Sequence, residues 1–153
     1  MAFYIVQHGQ SLTRDLDSEK GLSPQGIEEV KRIAEVAQHY GVTVGRILQS
    51  GKKRARQTAD LLADILKPAN VVQEIAGIKP LDDVAVFASL VDYSTNTMVV
   101  GHLPFLERLT SFLITGGQRP CVFKLQNGGI LCLDLIENSD APAIKWALMP
   151  QVK

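Results

Sequence analysis

Two histidines follow short apolar runs that are typical of buried β-strands. His8 comes after the run 3–6 and Gln7, and His102 comes after the run 97–100 and a glycine. An apolar run that ends in polar residues and glycine predicts the carboxyl end of a strand. Open α/β sheets bind ligands at that edge. We therefore expect the two imidazoles to share one site.

A basic segment supplies a third candidate element. Residues 50–58, Ser-Gly-Lys-Lys-Arg-Ala-Arg-Gln-Thr, follow a predicted strand and open a predicted helix, which places Arg54 in or near the first helical turn. Free amide groups and the positive end of the helix dipole favour an anion there, and a guanidinium adds bidentate recognition of oxygens. The segment therefore predicts phosphate binding. The alternative is a solvated helix start, although basic residues at that end are mildly unfavourable for the dipole.

The elements that must position these residues alternate between strand and helix signals. Strands are expected at 3–6, 46–49, 71–74, 97–100, 122–125, 130–135 and 144–149. Helices are expected from Ser23-Pro24 to near Gly41 and at 53–66, 81–90 and 104–113, with a loop over 10–21. The pair Asn127-Gly128 predicts a turn that joins strands 122–125 and 130–135. This order predicts an α/β three-layer sandwich, with a mostly parallel mixed sheet flanked by helices.

Composition limits the classes of protein that fit. The 153 residues, 46% of them hydrophobic, predict a single domain over 1–153. Sixteen basic and sixteen acidic residues leave no net charge, so no broad grip on nucleic acid or an anionic membrane is expected. No apolar stretch approaches the roughly 18 to 20 residues of a membrane span, and no leader pattern is seen; we expect a cytoplasmic protein. Cys121 and Cys132 lack metal-ligand spacing and are expected as buried free thiols, with a disulfide between neighbouring strands as the alternative.

Four motifs in order resemble the histidine phosphatase (phosphoglycerate mutase-like) superfamily. They are the strand before His8-Gly9, residues 22–26, the 50–58 segment and residues 99–104. The likeness covers nearly the whole chain and is greatest to the short bacterial branch of SixA-type phosphohistidine phosphatases. It implies a phosphoglycerate mutase-like fold and a reaction that needs no metal or other cofactor.

The resemblance also implies roles for individual residues. His8 matches the nucleophile that forms a covalent phosphohistidine, which water then hydrolyses. The nucleophile must be neutral, and the cationic Arg54 favours that form while binding phosphoryl oxygens. His102 matches a second histidine that donates to those oxygens. Gly9 and Lys20 match positions near the phosphate.

The chain departs from the family pattern at Gln7, where the family carries arginine. Glutamine keeps an amide donor but loses the charge and the bidentate fork. A charge-assisted hydrogen bond is worth about 1.5 to 3 kcal/mol, so the change predicts roughly 10- to 100-fold weaker stabilisation of the phosphoryl group. Gln10, or one of the lysines 20, 52 and 53, could compensate. The alternative is a weakly active or non-catalytic relative that binds a phospho-ligand.

The leaving group favours a phosphorus–nitrogen bond. Glu74, Asp82 and Asp83 lie in the region that could supply a general acid, but none has a clear motif. A phosphohistidine leaves as imidazole and needs less acid assistance than an alkyl ester. The expected partner is thus a phosphorylated histidine-containing protein domain in signalling or phosphoryl transfer. A small phosphorylated molecule, cleaved by a phosphomonoesterase of the same superfamily, is the alternative. His39 is expected to have no role, and Asn127 to be a turn residue.

Overall fold

The computed structural model describes residues 1–152. In chain order its elements are β1 (Phe3–Gln7), α1 (Pro24–His39), β2 (Arg46–Gln49), α2 (Lys53–Leu66), β3 (Gln73–Glu74), α3 (Val84–Ala88), a 3-10 turn (Tyr93–Thr95), β4 (Thr97–Gly101), α4 (Phe105–Thr115), β5 (Ile130–Leu135) and β6 (Pro142–Leu148). None of the helices in these residues is long and apolar enough to span a membrane.

The six strands form one mixed sheet in the order β3-β2-β4-β1-β5-β6. The first four strands in this order run parallel, and β5 and β6 add antiparallel pairs at the other side. The mostly parallel mixed sheet is thereby confirmed. Gln7 is in register with Gly101 across the β1–β4 pair, so the residue that follows each of them leaves the sheet at the same edge.

Helices cover both faces of the sheet, which confirms the three-layer sandwich. One apolar cluster joins the α1 and α2 faces to alternate strand residues such as Val6, Ile47 and Val100. The other joins α3 and α4 to the intervening strand residues, among them Ile5 and Val99. Because successive strand side chains point to opposite faces, strands buried on both sides read as continuous apolar runs.

Local chemistry fixes the ends of the helices beside the site. The Ser23 side chain accepts a hydrogen bond from the Gly26 amide (3.0 Å), and Pro24 occupies the first helical position of α1. Both features are the predicted start of this helix. The bounds of β2 and α2 also agree with the prediction, so the basic segment lies between a buried strand and a helix as expected.

The predicted strand over 122–125 is wrong. This segment has no strand pairing within the described residues, and β5 forms its hairpin with β6 instead. A further strand could pair with β5 only along an open edge, and β5 already has β1 on one side and β6 on the other. Leu125 still buries its side chain in the core while Val122 remains exposed. The predicted elements at 71–74 and 81–90 are shorter than expected, at Gln73–Glu74 and Val84–Ala88.

Both cysteines are free thiols. Cys132 is buried in β5, as expected, and belongs to the apolar cluster beneath α1 and α2. The expected burial is wrong for Cys121, which is exposed in the unpaired segment before β5. The strand-to-strand disulfide considered from the sequence is absent from the structure of residues 1–152.

Candidate active site

The two strand-end histidines meet at the carboxyl edge of the sheet. The His8 amide donates to the Gly101 carbonyl (3.0 Å), which continues the β1–β4 ladder one residue beyond the strand. The imidazole rings of His8 and His102 lie with their centroids 5.0 Å apart at an angle of 51°. His102 is only 2% exposed. The structure thus brings together the two residues that the sequence placed at strand ends.

Two contacts define which nitrogen of His8 is free to react. Nδ1 lies 2.8 Å from the Gly9 carbonyl oxygen. Because a carbonyl can only accept, Nδ1 carries the proton. Nε2 then holds the lone pair, and it accepts from the Nε–H of Arg54 at 3.3 Å. A neutral imidazole with a directed lone pair beside a guanidinium can attack an anionic electrophile that the guanidinium binds.

Burial keeps both imidazoles neutral. It lowers the pKa of His8 to about 4, with smaller contributions from the charges of Arg54 and Lys20, against an opposing effect of the Gly9 hydrogen bond. The pKa of His102 falls to about 3, again mainly through burial, then through His8 when that ring is protonated, and through the charges of Arg54 and Lys52. A histidine with such a pKa is unprotonated at neutral pH and holds a lone pair ready for reaction.

His102 is held from one side by a hydroxyl. Ser50 Oγ lies 2.6 Å from His102 Nε2. Ser50 follows β2, the strand beside β4, so its side chain reaches the neighbouring strand end. His102 Nδ1 is buried and has no hydrogen-bond partner within residues 1–152. When the hydroxyl donates to Nε2, the proton of the neutral ring lies on Nδ1, which is then an unused donor in the site.

Gly9 lies in a position that no side chain could share. A Cβ there would fall 2.8 Å from Val30 Cγ2 and 3.3 Å from the Gly26 carbonyl oxygen. The Gly9 amide donates to Thr58 Oγ1 (2.9 Å), and that fully buried hydroxyl donates to the Arg54 carbonyl (2.8 Å). Thr58 therefore ties the loop after His8 to the first turn of α2. The sequence showed this residue only as part of the motif and gave no sign of its contact.

Gln7 brings an amide group to the same edge. The residue is 8% exposed, and its Oε1 is buried without a hydrogen-bond partner in the described chain. A buried amide without a protein partner is costly unless a ligand or water satisfies it. The unpartnered oxygen is an acceptor, so it is open to a water or another donor that enters the site.

Lys20 reaches the site from the loop before α1. It has a positive φ of 52°, and Asp17 fixes the adjacent turn by accepting from the Gly21 amide (2.9 Å). Asp17 also pairs with Lys53 Nζ at 2.8 Å; this hydrogen bond, followed by the backbone ones, lowers the pKa of the carboxyl to about 2. The loop over 10–21 is thus anchored to the start of α2.

Asn127 does more than form the predicted turn. Its Nδ2 donates to the His8 carbonyl (2.9 Å), and the Gly128 amide donates to the Gln7 carbonyl (2.9 Å). The turn thereby holds the backbone of residues 7 and 8. Its Asn-Gly sequence was visible, but the contact spans 119 residues of chain, so no local pattern could indicate it.

Two of the three carboxylates considered as general acids have local roles, and the third lies against a residue that lines the cleft. Asp82 accepts from the Lys79 amide (2.8 Å), and Asp83 caps α3 by accepting from the Ala85 amide (2.9 Å). Glu74 is exposed on β3, against the backbone of Gly51. Within residues 1–152, no group of three or more histidine, cysteine, aspartate or glutamate side chains is arranged to hold a metal ion.

Known proteins share both the sequence pattern and the fold. Residues 3–78 match the histidine phosphatase superfamily (branch 1). The chain is 26% identical to the phosphohistidine phosphatase SixA of Escherichia coli (strain K12), over 98% of this chain and 94% of that protein. The structure of the protein histidine phosphatase SixA complexed with tungstate superposes with a TM-score of 0.82 at 25% identity, over 98% and 97% of the two chains.

A SixA-named protein of Agrobacterium tumefaciens has the same fold, with a TM-score of 0.78 at 22% identity over 98% of each chain. The motif order, the phosphoglycerate mutase-like sheet and the similarity over nearly the whole chain agree. The chain therefore shares the sequence pattern and the fold of the histidine phosphatase superfamily, and it is similar over nearly its whole length to proteins of the SixA type.

Proposed function

We propose that this phosphatase removes the phosphoryl group from phosphohistidine in a protein domain, through a covalent phosphohistidine on its own His8. One observation carries the proposal: the unprotonated Nε2 of His8 faces the guanidinium of Arg54, in a chain similar over nearly its whole length to a phosphohistidine phosphatase. The positive charge that would bind the phosphoryl group thus lies beside the nitrogen that would attack it.

In the first step, His8 Nε2 attacks phosphorus in line. A bond forms between Nε2 and phosphorus while the bond between phosphorus and the substrate's imidazole nitrogen breaks; that ring, which carries a proton on its other nitrogen, leaves with the electron pair as neutral imidazole. Arg54 binds the oxygens of the transferring group, and the Gln7 amide and His102 Nδ1–H donate to the same oxygens. Groups fixed before the reaction stabilise the charge that is spread over these oxygens.

In the second step, water attacks phosphorus and the bond to His8 Nε2 breaks. Inorganic phosphate leaves, and the proton lost by the water passes to solvent. The low pKa of His8, about 4, makes its imidazole a neutral group at physiological pH once it is freed. The site is then ready for another cycle without a separate deprotonation.

The leaving group favours a phosphorus–nitrogen bond over an ester. Asp82 and Asp83 each accept a hydrogen bond from a backbone amide, which leaves the exposed Glu74, against Gly51, as the one carboxylate of the three beside the cleft. An imidazole leaving group needs less assistance than an alkoxide, since its nitrogen is the better leaving atom. A phosphorylated histidine-containing domain is therefore the substrate class we propose.

Trapping of the intermediate tests the proposal directly. The protein is incubated with phosphoramidate, a small phosphoryl donor with a phosphorus–nitrogen bond, and denatured in alkali, because phosphohistidine is labile in acid. We expect peptide mapping by mass spectrometry to place one phosphoryl group on His8, and the His8→Gln variant to carry none. Label on another residue, or steady turnover retained by His8→Gln, would overturn the proposal.

Ser50 is expected to act as a positioning residue through His102. Its replacement in Ser50→Ala removes the 2.6 Å contact to Nε2 and with it the preference for a proton on Nδ1. A hydrogen bond of about 0.5 to 1.5 kcal/mol corresponds to a loss of roughly 2- to 13-fold in kcat/KM. The 15N chemical shifts of the His102 ring should show mixed tautomers in this variant.

Ser50→Thr is the matched control, because it keeps the hydroxyl. We expect it to restore a single tautomer and most of the activity. If Ser50→Ala loses activity while His102 keeps its Nδ1–H tautomer, Ser50 does not act by orienting His102.

A further inference from the structure

A group of basic side chains borders the site on one side. Arg14, Lys20, Lys52 and Arg56, which we call the basic rim, line a cleft of about 300 Å³ together with Arg54. Arg14, Lys52 and Arg56 are exposed, and Lys20 is partly buried. The rim is built from two segments, the loop before α1 and the start of α2.

The charges of the rim have no acidic partners of their own. Lys53, which lies in the same cleft, is neutralised by Asp17 at 2.8 Å and approached by Glu19 at 3.8 Å. None of the four rim residues forms a salt bridge with any side chain of residues 1–152. The chain as a whole has no net charge, so the rim is a local excess of positive charge. Like charges brought together without a partner oppose folding, which indicates a surface kept for an anionic ligand.

The rim lies close to the reacting groups. The charge of Lys20 acts on His8, that of Lys52 on His102, and that of Arg14 on Arg54. A molecule that contacts the rim therefore lies next to the group that would be transferred. The same cleft is lined by Gly51, which directly follows Ser50.

An exposed leucine in the loop that carries Arg14 and Lys20 favours a macromolecule over a small anion. Leu16 is 72% exposed and lies between these two residues in the sequence. It is not among the residues that line the cleft, so a small phosphorylated molecule held there gains little from it. A protein surface can cover it while acidic side chains face the exposed arginines. Exposed charges of this kind steer association and select partners more than they add affinity.

We propose that the basic rim docks an acidic protein surface, so that carboxylates around the phosphorylated histidine face Arg14, Lys52 and Arg56 while the phosphoryl group enters between His8 and His102. This inference rests on the proposed function and names the kind of partner that it serves. We expect added salt to weaken this docking, because the charges of the exposed rim interact with the partner through solvent.

Synthetic helical peptides test the docking without any need for turnover. Each carries a stable phosphonate analogue of phosphohistidine, flanked either by glutamates or by glutamines. We expect the wild-type protein to bind the glutamate-flanked peptide more tightly, and the Arg14→Glu/Arg56→Glu double variant to bind it about tenfold more weakly at low salt, an effect that shrinks at high salt. Binding of the glutamine-flanked peptide should change by less than about twofold.

The matched control is Lys31→Glu/Lys67→Glu, which makes the same change in net charge on exposed lysines away from the cleft. Lys67 caps the far end of α2, the helix that carries Arg56, and this double variant should bind both peptides like the wild type. Equal affinity of the rim variant and the wild type for the glutamate-flanked peptide would overturn the docking proposal. An equal loss with both peptides would overturn it as well, because the rim would then bind the phosphoryl group itself.

Turnover of free phosphohistidine, the amino acid, reports the chemistry separately. Wild-type protein that shows the charge preference in peptide binding but never hydrolyses free or protein-bound phosphohistidine contradicts the proposed function and leaves the docking surface standing. Wild-type protein that hydrolyses free phosphohistidine but binds both peptides equally contradicts the docking surface alone.

Discussion

The His8→Ala variant will release phosphate from a phosphohistidine-containing protein at least about a thousandfold more slowly than the wild type, because it lacks the atom that forms the covalent intermediate. Nε2 of His8 carries the lone pair that faces Arg54. We do not expect His102 to take its place, because that residue is almost fully buried, at 2% exposed. Phosphate release under single-turnover conditions measures this loss without a contribution from product release.

His39→Ala is the matched control for this variant. His39 is an exposed histidine in the last turn of α1, and its removal should leave the rate within about twofold of the wild type. Added imidazole should partly restore turnover to His8→Ala, by entering the space left by the side chain and accepting the phosphoryl group. Wild-type-like rates in a folded His8→Ala protein would mean that the reaction does not pass through this residue.

Much of the fold could be predicted because its strands are buried on both faces. The runs before His8 and His102 are continuous and apolar, and such runs followed by glycine predict central parallel strands. The helix over 53–66 was predicted with its observed bounds, since its strand neighbour and Pro68 delimit it. These signals are local, and they placed both histidines at one sheet edge.

The rest depends on contacts between distant parts of the chain. Residues 122–125 have the composition of a strand, but whether they pair depends on which neighbours of β5 are already occupied. The hydrogen bond from Asn127 to the His8 carbonyl and that between Ser50 and His102 connect separate elements. Spacing along the sequence carries no information about such pairs, because the topology of the sheet creates them.

Gln7→Arg is expected to raise kcat/KM for a phosphohistidine substrate by roughly 10- to 100-fold, the effect of a charge-assisted hydrogen bond of about 1.5 to 3 kcal/mol. Gln7 is buried beside the site, and its Oε1 has no hydrogen-bond partner in residues 1–152. The substitution therefore breaks no hydrogen bond between that oxygen and the protein. Its register neighbour on β4 is Gly101, and Leu106 fills the space beside that glycine, with Cδ2 3.4 Å from where a Cβ would be, so the longer side chain must extend away from this pair. The new guanidinium would share the phosphoryl oxygens with Arg54.

The added charge has a second consequence that can be measured independently. Positive neighbours lower the pKa of an imidazole, as Arg54 and Lys20 already do for His8. The unprotonated ring is the reactive form, so kcat/KM falls as the pH drops through the pKa of His8, about 4 in the wild type. In Gln7→Arg this acid limb should move to lower pH, whereas a merely structural change at residue 7 would leave its position unaltered.

Gln7→Met separates the amide from the volume of the side chain. If the amide donates to the phosphoryl group, this variant should lose roughly 2- to 13-fold in kcat/KM, the effect of one neutral hydrogen bond. A folded Gln7→Arg protein that is no faster than the wild type would show that another group already supplies the missing charge, with Lys20 the nearest candidate by its effect on His8. If the wild type instead binds the phosphohistidine analogue without any turnover and only Gln7→Arg hydrolyses phosphohistidine, this chain is a phospho-ligand-binding relative, and the proposed hydrolysis is wrong for the natural sequence.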